Sequence, residues 1–262
     1  MSKQKVTVVK IGGNVIDKAQ DLQLFLQSFA QLEGPKILVH GGGKLATELA
    51  ERLGVPQQMI AGRRVTDEET LKIITMVYGG YINKNIVARL QALGCAALGL
   101  CGADANLLQA SKRKVTTHDY GFAGDVERVN GIALEQLLQQ GLSLVIAPVT
   151  HDGKGQLLNT NADTIAREIA LALQKDYAVS LLYCFEKNGV LLDVSDEQSV
   201  LQDLDQALLQ RLVAEGCVYE GMLPKLENAF TAASGGVDRV QIGHWSHLVA
   251  MTAGASGTAI RN

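Results

Sequence analysis

The sequence predicts an α/β fold: a three-layer sandwich with a mostly parallel central sheet covered on both faces by helices. Three observations carry that reading. Residues 6–11, 37–39, 142–148 and 177–183 are apolar runs short enough to be buried strands. Glycine turns close the first two, and helical periodicity resumes after each. Hydrophobic residues make up 47% of the 262-residue chain and 27 are glycine, which suits an ample core with many turns.

Taken in order, residues 6–11 read as a central strand ended by Gly12-Gly13. Lys10 stands out there, because an ammonium on a buried strand needs an anionic partner. Beside a glycine turn, phosphate or carboxylate is favoured over a purely structural ion pair. Asp17 is placed to cap a helix through Leu22, Phe25, Leu26 and Phe29. The strand at 37–39 runs into Gly41-Gly42-Gly43, and then Leu45, Leu49 and Leu53 recur at helical spacing. Three glycines in that place let backbone N–H groups approach an anion, and the helix N-terminus adds positive dipole.

The same stretch formally fits three other motifs, and each fails. A dinucleotide fingerprint lacks its acidic residue at the end of a following strand. A Walker A loop requires glycine where Leu38 stands. An esterase oxyanion loop would need a G-x-S-x-G elbow, and no serine has one.

Residues 59–66 read as a hairpin over the rim of the sheet. Thr66-Asp67-Glu68-Glu69 matches a capping box opening a long helix through Leu71, Ile74, Val77, Ile82, Ile86 and Leu90. Gly79-Gly80 is costly inside that helix unless something packs closely there, in this chain or in a second subunit. A small apolar strand at 96–101 precedes turn-rich hairpins as far as Gly131, a helix at 132–138 and the strand at 142–148. A helix reaching about Leu173 begins near Asn159-Thr160-Asn161-Ala162-Asp163, with Asn161 or Asn159 as its cap. Three polar side chains in five positions exceed what a cap needs. The last third holds the strand at 177–183, a turn at 186–189, a short strand at 190–192, helices at 204–215 and 223–233, and strands at 237–242 and 257–261. Lys225 lies on the second of those helices.

Composition excludes several function classes. With 24 basic and 27 acidic residues, net −3, nothing pulls the chain toward nucleic acid or membrane. Lys112-Arg113-Lys114 reads as a solvated loop. Cys95, Cys101, Cys184 and Cys217 lack metal or redox spacing and read as small core residues in a reducing compartment. There is no signal-peptide pattern and no apolar run of membrane-spanning length, so a cytoplasmic location is expected.

The blocks Val9-Lys10-Ile11-Gly12-Gly13, His40-Gly41-Gly42-Gly43, Gly62-Arg63-Arg64-Val65-Thr66, Leu158-Asn159-Thr160-Asn161-Ala162-Asp163 and Gly221-Met222-Leu223-Pro224-Lys225 stand in the order seen in the amino-acid kinase family, which this chain resembles along nearly its whole length. The third and fourth blocks resemble its N-acetylglutamate kinase branch more than glutamate 5-kinase, aspartokinase or UMP kinase. The resemblance implies a carbamate kinase-like fold, with residues 1–174 as an acyl-amino-acid-binding lobe and 175–262 as a nucleotide-binding lobe of one continuous sheet. It implies ATP-dependent phosphorylation of the γ-carboxylate of N-acetyl-L-glutamate, in arginine biosynthesis. Lys10 and Lys225 would flank the transferred phosphoryl group and Asp163 would hold them. Gly42, Gly43, Arg64 and Asn159 would bind the acceptor, and Gly12, Gly13, Glu186, Gly189 and Lys225 the nucleotide. Mg²⁺ would ride on the ATP phosphates, with no metal site built from protein side chains.

Family members usually carry Thr/Ser-Asp-Val-x-Gly-Val on the nucleotide side, where this chain has Phe185-Glu186-Lys187-Asn188-Gly189-Val190. Glu186 keeps the carboxylate on a longer arm. Two other readings stay open: a kinase for another acceptor, such as a succinylated glutamate or an acidic amino acid, and a non-catalytic ligand-binding regulator on the same fold. A succinyl group would need a cation in the acyl pocket, for which Arg63 and Lys84 are candidates. A homodimer is expected, because the long helix from Asp67 has apolar positions on more than one face and carries the Gly79-Gly80 step. Arginine-inhibited members carry an extra N-terminal helix, and only five residues precede the first strand here, so weak or no arginine inhibition is expected.

Overall fold

The computed structural model describes residues 3–60, 62–115, 117–193, 195–216 and 222–262. The chain begins with β1 (Gln4–Ile11), α1 (Gly13–Asp17), α2 (Ala19–Gln31), β2 (Lys36–His40) and α3 (Gly43–Arg52). The small hairpin β3 (Met59–Ile60) and β4 (Arg63–Arg64) follows. Next comes one helical run made of α4 (Glu68–Ile74), a π-helical stretch (Thr75–Ile82) and α5 (Asn83–Ala92). Then come β5 (Ala97–Leu100), β6 (Leu108–Lys112), β7 (Ala123–Val129), α6 (Gly131–Gln139), β8 (Ser143–Ile146), β9 (Val149–His151), β10 (Leu157–Thr160) and α7 (Ala162–Leu173). The last third holds β11 (Tyr177–Phe185), β12 (Asp203–Leu204), α8 (Gln206–Ala214), α9 (Leu223–Ser234), β13 (Arg239–His244), α10 (Leu248–Ala253) and β14 (Thr258–Ile260).

Eight strands form one sheet in the order β12-β14-β13-β11-β1-β2-β8-β5. Neighbours are parallel except for β13 and β14. The crossing between the two thirds of the chain is continuous, since β1 pairs with β11 from Gln4↔Tyr177 to Ile11↔Cys184. The pleat sorts the apolar residues of each strand into two cores. Val6 and Val8 face the core under α6, α7, α8 and α9, while Val9 and Ile11 face the core under α2, α4, α5 and α10. The hairpin expected after Gly102 is β6–β7, and with β9 and β10 it closes a small four-stranded barrel at one end of the sheet. Among the described residues no helix is long and apolar enough to cross a membrane.

Several local expectations shift. Asp17 does not cap α2, because it is the last residue of the extra helix α1, and Lys18 takes the cap position without a side-chain bond. The capping box moves by one residue. Thr66 is committed to a backbone bridge with residues 120–122, so Asp67 becomes the N-cap and accepts from the Thr70 amide at 2.8 Å. In α3 the buried positions are Ala46 and Ala50, whereas Leu53 is exposed and Leu45 and Leu49 are half-buried, because small residues let the helix approach the sheet closely. Gly79 and Gly80 lie in the π-helical stretch, and a Cβ at either would meet nothing within 4 Å, so they make no close contact with the other described residues. Cys95 and Cys184 are buried as expected, Cys101 is half-buried, and Cys217, like Gly221 of the fifth block, lies outside the described residues.

Candidate active site

The alternation along β1 that buries Val6 and Val8 carries Lys10 to the same face, at the strand's C-terminal end, where α7 starts. Asn161 caps α7, its side chain accepting from the amides of Asp163 (2.8 Å) and Thr164 (3.1 Å). That leaves the carboxylate of Asp163, in the first turn, free to meet Lys10. Lys10 Nζ lies 2.7 Å from Asp163 Oδ1, both side chains less than a tenth exposed. Lys225 approaches the other oxygen at 3.8 Å from the first turn of α9, where Pro224 is accommodated. Burial by itself would push the Asp163 carboxyl up, but the ammonium of Lys10 and then that of Lys225 outweigh it and hold the group below the usual carboxylate range. Arg167 Nη1 donates to Asn228 Oδ1 at 2.9 Å and so ties α7 to α9, fixing the two elements that bring Asp163 and Lys225 together.

Two glycine turns line the floor beside the lysines. A Cβ on Gly41 would stand 3.8 Å from the Gly13 amide nitrogen, and one on Gly13 would stand 4.0 Å from that of Gly43, so the turns pack backbone against backbone. Gly42 has φ 146°, which side-chain-bearing residues rarely adopt, and a Cβ there would collide with Ile82. No side chain caps the N-terminus of α3, so its first N–H groups point into the cleft, where anions are favoured.

The opposite wall is built on β4 and β10. Arg64 is buried, and its guanidinium donates to the Gly43 carbonyl (2.8 Å), Thr47 Oγ1 (2.8 Å) and Gln57 Oε1. Asn159 Nδ2 donates to Thr66 Oγ1 at 3.0 Å. A cleft of about 240 Å³ runs between these walls and takes in Lys10, Gly13, Gly42, Gly43, Arg64, Asn159 and Asp163. Arg63 also lines it. Lys84 does not: its ammonium donates to the Gly99 carbonyl (2.9 Å) and Asn83 Oδ1 (3.1 Å), which removes it as a candidate for the acyl pocket.

Arg113 corrects the reading of the 112–114 cluster as a solvated loop. It lines the cleft, pairs with Asp125 and sits over the Tyr120 ring. The β6–β7 hairpin folds it inward, and no local pattern announces that. Tyr78 is a second residue that sequence reasoning missed, since its spacing fits an apolar helix face equally well. Its ring packs against Gly42 from the π-helical stretch.

At the end of β1, Gly12 and Glu186 adjoin, with Glu186 Oε1 3.7 Å from where a Gly12 Cβ would be. Glu186 is exposed. Gly189 stands apart from the cleft, and a Cβ there would come within 2.6 Å of Thr258 Oγ1. Packing against β14 already accounts for glycine at that position.

This chain is 54% identical over 240 residues to an acetylglutamate kinase of Bacteroides fragilis, covering 92% of each. It is 51% identical over 259 residues to an acetylglutamate kinase of Phocaeicola vulgatus, covering 99% of each. Its fold is also that of a Giardia lamblia carbamate kinase bound to AMP-PNP, with a TM-score of 0.73 over 100% of both chains at 13% identity. A model of the amino acid kinase family matches residues 5–244, from the second residue of β1 to the last of β13, and the chain therefore belongs to that family.

Proposed function

We propose that this chain is an ATP-dependent kinase that phosphorylates the γ-carboxylate of N-acetyl-L-glutamate, giving N-acetylglutamyl 5-phosphate and ADP in arginine biosynthesis. The observation that carries the reading is Asp163 held between Lys10 and Lys225 beside two glycine turns, with Arg64 lining the same cleft. It is supported by relatives about half identical over nearly the full length that bear the name acetylglutamate kinase.

A carboxylate acceptor needs no general base, so the residues have only to position and to neutralise charge. Lys10 and Lys225 stabilise negative charge developing on the transferred phosphoryl oxygens, and Asp163 keeps both ammoniums aimed. Amides of Gly13, Gly42 and Gly43 offer hydrogen bonds to phosphoryl and acceptor oxygens. Arg64 and Asn159 hold the α-carboxylate, and the planar guanidinium suits bidentate pairing. Gly12, Gly13, Glu186 and Lys225 form the nucleotide side, while Gly189 only lets that turn pack against β14. The Asp163 oxygens are engaged by two ammoniums, so they fit a Mg²⁺ carried by the nucleotide phosphates rather than one caged by the protein. Mg²⁺ carried there would add further charge neutralisation at those phosphates. Residues 1–174 then serve as the acceptor lobe and 175–262 as the nucleotide lobe.

A second reading of the acceptor is a succinylated glutamate, favoured by Arg63 and Arg113 on the cleft wall in addition to Arg64. ADP release measured with acetylglutamate, succinylglutamate and free glutamate tests both. The first as best acceptor supports the main reading and the second the alternative. A clear preference for free glutamate, or no ADP release with any of them, overturns the acylglutamate assignment. The exposed Met76 and Tyr81 flanking Gly79 and Gly80 support a homodimer through the π-helical stretch, which light scattering reads directly. A cytoplasmic location completes the proposal.

A further inference from the structure

The cleft's central glycine turn is held from beneath by a buried polar pair that makes no contact with the cleft. His40, the last residue of β2, is fully buried, and its Nδ1 donates to the carbonyl of Gly41 at 2.8 Å. That bond makes Nε2 the acceptor, and Asn83 Nδ2 lies 3.2 Å from it. The same Asn83 nitrogen donates to the Val145 carbonyl of β8 at 2.9 Å. Asn83 is itself buried and opens α5 directly after the π-helical stretch. A π register of i to i+5 stacks Tyr78 over Asn83, so one helical face presents Tyr78 and Ile82 to Gly42 and Asn83 to His40. A side chain at Gly99 would collide with Asn83 Oδ1, so the neighbouring strand β5 is also shaped around this pair.

We propose that His40 and Asn83 are a positioning pair for the Gly41–Gly43 turn, fixing its peptide planes so that the amides of Gly42 and Gly43 face the reacting oxygens. The inference rests on the kinase reading above. A buried polar network of this kind is costly unless every member is satisfied, and an apolar pair would fill the space more cheaply. Its members tie β2, from which the turn leaves, to β8 and to α5, which continues the helix that packs Tyr78 and Ile82 on Gly42, and small misplacement there is most damaging. Lys84 on α5, 3.1 Å from Asn83 Oδ1, is the charged neighbour. β1 presents Ile11 beside His40 and β8 presents the Val145 carbonyl, neither of which titrates. The Tyr78 hydroxyl and the Arg64 guanidinium reach the turn further on, at Gly43.

The test compares Asn83→Ala, Asn83→Asp and wild type in steady-state kinetics, with circular dichroism to count folded molecules. Asn83→Ala should lower kcat by up to about 100-fold per folded molecule while acceptor and nucleotide KM stay within about threefold. Asn83→Asp removes the donor to Nε2 but lets a proton restore it, on the imidazole or on the introduced carboxyl. Its kcat should therefore recover as pH falls from 8 to 6, while wild type and Asn83→Ala show no such recovery. A structural role alone would reduce the folded fraction and leave kcat per folded molecule unchanged and without that pH dependence, which would overturn the proposal. Wild type inactive on every acylglutamate would instead defeat the kinase reading.

Discussion

Lys10 and Lys225 reach the same carboxylate, but the chain holds them in opposite ways. Lys10 sits on a central strand flanked by β2 and β11, with a side chain 9% exposed and an ion-pair distance of 2.7 Å. Lys225 stands on the first turn of α9, 27% exposed and 3.8 Å from the other oxygen. One cation belongs to a central strand and the other to a helix end. The contrast teaches that identical chemistry at a site can carry different structural weight. Removing Lys10 strips a buried carboxylate of its close partner, whereas removing Lys225 leaves that partner in place.

The largest effect should come from Lys10→Ala. Loss of a preorganised charge donor costs on the order of 10²–10³ in kcat, and breaking a buried pair costs about 3–5 kcal/mol of stability. Turnover and thermal melting would both fall, and an unchanged melting temperature would break the comparison on its structural side. Lys225→Ala should lose turnover by a similar order, about 10²–10³, yet melt close to wild type. Normal kcat with only a raised KM for ATP would remove Lys225 from the transition state.

Arg64→Lys moves the comparison to the far wall of the cleft. A point charge replaces a fork that already bridges Gly43, Thr47 and Gln57, so acceptor KM should rise on the order of tenfold with kcat little altered. An unchanged acceptor KM would exclude Arg64 from binding the α-carboxylate.

The smallest effect at neutral pH is electrostatic, and acid reveals it. Burial lowers the His40 pKa to about 4, with the Lys84 charge acting in the same direction and the Gly41 hydrogen bond opposing them. Between about pH 6.5 and 4 the unfolded chain binds a proton that the folded chain refuses, so unfolding free energy should decline as pH falls through that window. The depressed Asp163 carboxyl acts with the same sign in a lower window: its stabilisation is complete above the unfolded carboxylate pKa and is lost as pH falls below it. Denaturant melts at pH 7, 5.5 and 4.5 on wild type and His40→Gln separate the two. The decline across those three values should flatten in the variant, and an equal slope in both would assign it elsewhere.

The sequence by itself determined the parallel α/β frame, the central place of β1 and β2, the two glycine turns and the choice of Lys10 and the Asn159–Asp163 cluster as unusual, while Arg64 stood out only through the family resemblance. These are legible because local pattern and burial agree there: short continuous apolar runs mark buried strands, and a charge placed within one needs a partner that few residue types supply. Asn161 as the cap of α7 was open between two positions and was settled by which side chain reaches the amides of Asp163 and Thr164. Tertiary structure alone decided what depends on residues distant in the chain. The half-exposed leucines of α3, the π register at 75–82, the inward turn of Arg113 and the capture of Lys84 by Gly99 all follow from neighbours more than ten positions away or from how closely an element approaches the sheet. His40 and Asn83 show the same limit most plainly. Neither has a local signature, and they meet only because β2 and the start of α5 pack against β8, where low dielectric makes every donor find an acceptor.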